Sequence, residues 1–216
     1  VALAAGYAAK LAEMGVEIRT GLAVEGAVRD GDRITALGTS AGPLEADHIL
    51  VAAGAWSGQL VEKFGVSLPV QAGKGYSLTL TEGGPKFSRP LYLGEARVGC
   101  SPFDGAIRFA GTMELSGVNE LFDHRRVVGI RKGIARYFQR GIEDGQGTEW
   151  VGMRPLTPDG LPMLGMVPGF SNVSIATGHA MLGITMAPVT GEAMAELLTE
   201  GDPKGRLAPF SPARFR

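Results

Sequence analysis

Apolar residues recur every three or four positions at the start of the chain: Leu3, Tyr7, Leu11 and Met14 share one face among good helix formers, and Gly15 follows where a left-handed cap would sit. This spacing predicts an amphipathic helix over residues 1–13. The period then shortens. Val16 to Arg19, Leu22 to Arg29 and Ile34 to Thr39 carry Val and Ile in short runs, and Asp30-Gly31-Asp32 is a hairpin signal. His48-Ile-Leu-Val-Ala-Ala-Gly54 is almost wholly apolar, as in a strand buried on both faces, and Ser57 is placed to cap a helix running to about Phe64.

From Pro69 the texture changes. Tyr76 to Leu80 and Ile107 to Gly111 have the composition of strands between Gly and Pro, and Val127, Ile130, Ile134 and Phe138 mark a basic amphipathic helix over Asp123 to Arg140. From Trp150, prolines at 155, 158 and 162 predict a long stiff loop to Gly169. A strand Val173 to Ala176, a glycine turn and a helix from about Pro188 to Leu198 complete the chain. The expected fold class is α/β (α+β). One layer of helix, hairpin and buried strand spans residues 1–68, a β-rich unit with a covering helix spans 69–149, and the chain returns to the first layer over 150–216.

Charge narrows the function. Lys plus Arg total 21 against 22 Asp plus Glu, a net charge of −1, so the clustered basic excess that nucleic acid requires is absent. No apolar run approaches the roughly 20 residues of a membrane span. The single cysteine, Cys100, cannot form an internal disulfide, and His48, His124 and His179 lack ligand spacing, which argues against a metal site. Val1 to Met14 carries no signal-peptide pattern, so a reduced, cytoplasmic setting is expected. Glycine is abundant, 33 of 216 residues, and scattered among apolar runs. That distribution predicts turns and close backbone approach.

Generic motifs fail. Gly73-Lys-Gly75 has Leu78 where a dinucleotide fingerprint needs its third small residue, Ala55-Trp56-Ser57 lacks the glycines of a nucleophile elbow, and there is no triphosphate loop. Three segments carry candidate chemistry. Ala53-Gly54-Ala55-Trp56 ends the buried strand, where bare backbone approaches a flat or charged ligand or simply turns into a helix. In Trp150-Val-Gly152-Met-Arg154-Pro155, Arg154 is suited to clamp a carboxylate with two parallel hydrogen bonds, or else to pair with Glu149 or Asp159. In Thr177-Gly178-His179-Ala-Met181-Leu182-Gly183-Ile184-Thr185, free amides before a helix suit a polarised carbonyl or anionic ring, and His179 is either a structural histidine or a catalytic one.

Taken in order, the Arg-Pro-x-Thr-Pro-Asp-Gly-x-Pro and Gly-His-x-x-Leu-Gly-x-Thr segments, with Lys74-Gly75-Tyr76-Ser77, resemble the carboxyl-terminal part of the D-amino-acid oxidase superfamily of FAD-dependent oxidoreductases, and within it the bacterial D-amino-acid dehydrogenases. The resemblance implies part of an FAD-binding Rossmann-like domain joined to a substrate domain. It implies cofactor contacts at Val24, Ala53, Gly54, Trp56 and Gly178 to Thr185, with His179, Met181, Leu182, Gly183 and Ile184 among them. It assigns Arg154 and Tyr76 to the substrate, and Arg154 with His179 to catalysis. The implied reaction is oxidative deamination of a D-amino acid by hydride transfer to flavin N5. Met181 and Val98 stand where glycine oxidase has a second arginine and a tyrosine, which favours an apolar substrate side chain. The alternatives are a secondary-amine oxidoreductase for proline-, hydroxyproline- or sarcosine-like substrates, and a non-catalytic remnant. A peripheral contact at the inner membrane and a quinone-linked electron acceptor are compatible with this family. The Gly-x-Gly-x-x-Gly strand that opens such proteins is missing and Val1 lies inside a helical pattern, so the chain is expected to be a fragment that is inactive alone and binds FAD weakly or not at all.

Overall fold

In a computed structural model, residues 2–82, 84–138, 147–202 and 205–215 are described. The chain forms α1 (Ala2–Glu13), β1 (Val24–Asp30), β2 (Arg33–Thr39), β3 (Gly42–Glu45), β4 (Ile49–Val51) and α2 (Ser57–Glu62). Then follow β5 (Gln71–Leu80), β6 (Leu91–Leu93), β7 (Val98–Phe103), β8 (Ala106–Glu114), α3 (His124–Ala135), β9 (Thr148–Leu156), β10 (Met163–Met166), β11 (Val173–Thr177) and α4 (Gly183–Glu200). The α/β class expected from the apolar periods is the one observed.

The strands make three sheets: β1-β2-β3, then β10-β11-β4, then a five-stranded sheet in the order β6-β7-β8-β5-β9. Strand β4 pairs parallel with β11, so the apolar run near residue 50 and the run near residue 175 are neighbours despite their separation in sequence. The buried side chain of Asn172 joins the hairpin sheet to this parallel pair. Its Oδ1 accepts from Ile34 N at 2.9 Å, while its Nδ2 donates to Ile34 O at 2.8 Å and to Asp47 O at 3.2 Å. Ile34, Ile49, Val51, Val61, Phe64, Val173 and Ile175 close the core around it.

Two expectations change. The Pro-rich segment after Trp150 is not all loop: β9 runs through Arg154 and Pro155 and pairs with β5 along its length. Proline is tolerated because β9 is an edge strand, where a missing N–H need not break a ladder. The return to the first layer therefore begins after Leu156 and not at residue 150. Helix α4 also starts at Gly183, five positions before the proline expected to open it, with Pro188 inside. The basic helix appears as α3, capped by the Asp123 carboxylate on Arg125 N at 3.1 Å, and Gln139 and Arg140 of its expected span lie outside the described residues. Helix α1 forms as expected but buries none of its residues.

One face of β5 packs under α3, where Tyr76, Leu78, Phe109, Val127, Ile130 and Ile134 form the second core. A charged cluster closes its end. The buried Lys74 ammonium donates to Asn119 Oδ1 at 2.8 Å and Leu121 O at 2.6 Å and stands 3.1 Å from Glu114 Oε1, so three partners meet its three protons. Tyr76 donates to Glu114 Oε2 at 2.5 Å. Hydrogen bonds from Ser116 first, then Tyr76 and Lys74, hold the Glu114 carboxyl down to about 2 from an ordinary 4.5. A depressed carboxylate stabilises the fold fully above its unfolded value and loses that contribution as pH falls through its folded value. In urea titrations, wild type is expected to exceed Glu114→Gln in stability by its full margin above about pH 4.5, and the margin should shrink as pH falls toward 2.

Candidate functional site

The face of the five-stranded sheet opposite α3 is built from small residues. Successive side chains on a strand alternate, so Gly73, Gly75 and Ser77 of β5 face away from the Tyr76 core. Register carries this face across Ala110 of β8 and Gly99 of β7 on one side and Gly152 of β9 on the other. Larger side chains lie down on this bare backbone. Arg154 is opposite Gly73 but its guanidinium swings over Gly75, where a Cβ would overlap it. The Trp150 indole covers Gly152 in the same way, and Leu156 and Met113 cover Gly73, at 2.7 Å and 3.1 Å from a Cβ placed there.

Arg154 is not a structural ion pair. Glu149 is engaged by His124 at 2.9 Å and Arg131 at 3.5 Å, and Asp159 by Arg214 at 2.7 Å. Among the described residues no carboxylate lies within ion-pair reach of Arg154 and no side-chain hydrogen bond holds it. Instead it lines a cavity of about 1030 Å³ with Tyr92, Arg97, Met113, Arg126 and Met181. An uncompensated guanidinium at the floor of a cavity is a site for an anion.

Backbone strain concentrates at the same cavity. Among the described residues, four that are not glycine have left-handed φ: Arg97 (52°), Thr112 (56°), Ala180 (49°) and Asp202 (45°). Arg97 and Thr112 line the cavity, and Ala180 immediately precedes Met181, which also does. Each such residue costs about 1–2 kcal/mol, a cost that persists where surrounding structure enforces it and that clusters at working sites. Thr112 is the extra residue of a bulge, since Met113 pairs with Gly75 and Gly111 with Tyr76. Arg126 holds it by donating to Thr112 Oγ1 at 2.9 Å and Met113 O at 3.2 Å. Ala180 N donates to Pro155 O at 3.0 Å, which ties the turn after β11 to the residue following Arg154.

That turn brings the second group of expected residues together. Thr177 Oγ1 donates to Gly54 O at 2.8 Å, so the ends of β11 and β4 meet. Gly178 has φ of 84°, and a Cβ there would stand 2.6 Å from Thr157 Cγ2 and 3.3 Å from Met163 N. The first-turn amides of α4, at Gly183, Ile184 and Thr185, have no carbonyl within the helix to bond. Around them Met181 and Ile184 are 79% and 77% exposed, large apolar side chains with nothing over them. An apolar groove of about 410 Å³, lined by Leu50, Ala52, Ala176, His179, Ala187 and Met194, runs on along α4. Bare amides on a helix dipole beside apolar surface fit a flat, partly anionic ring system.

The other expected residues fall into place unevenly. His179 Nε2 stands 3.0 Å from Thr190 Oγ1 on α4, and burial lowers its pKa, so a neutral imidazole is anchored to the helix. Gly54 has φ of 55° and opens a single 3-10 turn with the half-exposed Trp56, preceded by Ala53. The Val24 carbonyl accepts from Lys63 Nζ at 2.9 Å. Tyr76, assigned to the substrate beside Arg154, is on the opposite face of β5. It is 1% exposed, edge-on to Phe122 and bonded to Glu114, because its neighbour Gly75 is the residue that faces Arg154. Val98 is likewise buried in the second core. Sequence reasoning missed Arg97, Thr112 and Met113; the alternation Gly73-x-Gly75 against Gly152-x-Arg154 was the available signal for the bare face.

Fold and site together place a cavity lined by three arginines beside the first turn of α4. Residues 1–197 match the family model of the FAD-dependent oxidoreductases, and the chain belongs to that family. It is 33% identical over 198 residues to a glycine oxidase of Pseudomonas aeruginosa, covering 92% of this chain and 54% of that protein. It is 34% identical over 208 residues to a D-amino acid dehydrogenase of Bradyrhizobium diazoefficiens, covering 94% and 48%. Among solved structures, glycine oxidase from Geobacillus kaustophilus superposes with a TM-score of 0.84 at 26% identity over 98% of this chain and 57% of that one. The chain thus spans about half the length of the curated relatives it matches. No described helix is long and apolar enough to cross a membrane.

Gly178→Ala should cost at least the 1–2 kcal/mol of a left-handed alanine, since Thr157 and the backbone at Met163 leave no space for the methyl. Denaturant unfolding measures it; a loss under about 0.5 kcal/mol would show that the turn after β11 is not held as described.

Proposed function

We propose that the protein carrying this chain oxidises the amine of an amino acid, a D-amino acid by its likeness to the dehydrogenases, with FAD as the electron acceptor. One observation carries the reading: the unpaired guanidinium of Arg154 over Gly75, in the cavity that also reaches Met181 at the entry to α4. When bound, FAD supplies the acceptor for the hydride that leaves the substrate α-carbon; the resulting imino acid hydrolyses to a 2-oxo acid and ammonia.

The chain's own residues supply placement. Arg154 binds the substrate carboxylate through two parallel hydrogen bonds, which fixes both position and plane. With Gly75 beneath it, the guanidinium lies against bare backbone and the bound α-carbon stays close to the sheet. Orientation of this kind is worth several kcal/mol of barrier. At the other side, Gly178, Met181, Leu182, Gly183, Ile184 and Thr185 offer a strained turn, apolar cover and open amides. The amides stabilise negative charge on a ring held there. Ala53, Gly54, Trp56 and Val24 continue the cofactor surface along the ends of β4 and β1. His179 acts through position, holding the turn to α4 by its contact with Thr190. No side chain need act as base if the amine arrives neutral.

Arg154→Ala in the intact protein should lower kcat/KM for a D-amino acid by about 100-fold or more, on the scale of a lost charged hydrogen-bond pair. Dye-coupled kinetics test it, and catalytic efficiency within threefold of wild type would overturn the clamp.

A further inference from the structure

Among the described residues, three arginines line the large cavity and no carboxylate does. Arg126 is compensated, with its Nε 3.0 Å from Glu114 Oε2. Arg154 on β9 and Arg97 in the turn between β6 and β7 are not: among the described residues neither has an ion-pair partner or a side-chain hydrogen bond. The acidic residue nearest Arg97 in sequence, Glu95, turns away and accepts from Tyr137 Oη at 3.0 Å. Arg97 also holds φ of 52° in a tight turn, a position that glycine or asparagine would occupy at lower cost. A long cationic side chain kept there against that preference points to a use for it.

The sheet sets the spacing between the two free cations. The Arg154 guanidinium lies over Gly75 on β5, and β8 and then β7 follow in the sheet order. Arg97 leads into β7, so its backbone stands two strand spacings from that of Gly75, about 10 Å at 4.7–4.9 Å each, and its side chain reaches the same cavity. That interval leaves room for a short carbon skeleton with a carboxylate at either end. Met113 and Met181 line the same cavity and would pack on its methylenes. Resting on the assignment of Arg154 as the carboxylate clamp, we propose that the preferred substrate is an amino acid bearing a second carboxylate, which Arg97 binds. This replaces the purely apolar side chain that Met181 and Val98 favour.

Calorimetric titration of the intact protein with glutarate and its monoamide, glutaramate, separates the two charges without turnover. Glutarate should bind at least tenfold more tightly, Arg97→Gln should bring glutarate down to the level of glutaramate, and Arg97→Lys should restore part of the difference. Arg154→Ala should weaken both acids. Initial rates with D-glutamate and D-glutamine should show the same preference in kcat/KM. Equal binding of the two acids by wild type, lost in Arg154→Ala, would overturn the role of Arg97 and leave the clamp standing. An equal loss for both acids in Arg97→Gln would also overturn it. Failure of both acids to bind at all would overturn both assignments.

Discussion

A strand bonded on both edges has two faces to satisfy, and β5 satisfies them in opposite ways. Below, Tyr76, Leu78 and Leu80 fill the core under α3. Above, Gly73 and Gly75 carry no side chain, so Arg154, Leu156 and Met113 lie directly on their backbone and bury it. The whole candidate site rests on this division. A side chain at residue 75 would displace Arg154, and one at residue 152 would displace Trp150. The glycines are therefore requirements of packing, and the packing they permit is a guanidinium laid flat on backbone.

The cost of the arrangement is visible nearby. Thr112 is forced out of the ladder of β8, Arg97 sits in a turn that suits glycine, and Ala180 is held left-handed by a bond to Pro155. The buried cluster of Lys74, Glu114, Tyr76 and Arg126 is the counterweight, because Arg126 links the Thr112 bulge to the carboxylate that neutralises Lys74. Charges linked in a cluster around the buried Lys74 favour one geometry. They place Met113 on the open face and keep Glu114 away from Arg154, whose charge stays available.

Much of this was legible in the chain. The helical period of α3 and the apolar runs of β4 and β11 gave the right elements, because each buries a face that periodicity records. The Arg-Pro and Gly-His segments, singled out in the chain, are neighbours in the fold, where Ala180 N donates to Pro155 O. Three things were hidden for physical reasons. Proline in β9 reads as a loop unless the strand is known to be at an edge, and edge position is a property of the sheet. Pro188 reads as the first residue of α4, whereas Met186 N already donates to Leu182 O at 2.9 Å and the helix tolerates the later proline. The face on which Tyr76 lies depends on pairing register, which a single strand does not state. Helix α1 has the apolar stripe of a packed helix and no buried residue, so its period reported its conformation and not its surroundings.

If Arg154 stays unpaired because the sheet beneath it is bare, an anion completes it. A crystal structure of the intact protein grown with a simple monocarboxylate tests this directly. The carboxylate should lie above Gly75 with both oxygens about 2.7–2.9 Å from Arg154 guanidinium nitrogens, and Glu149 and Asp159 should still be held by their own partners. A carboxylate bound elsewhere, with Arg154 turned onto Glu149 or Asp159, would contradict it.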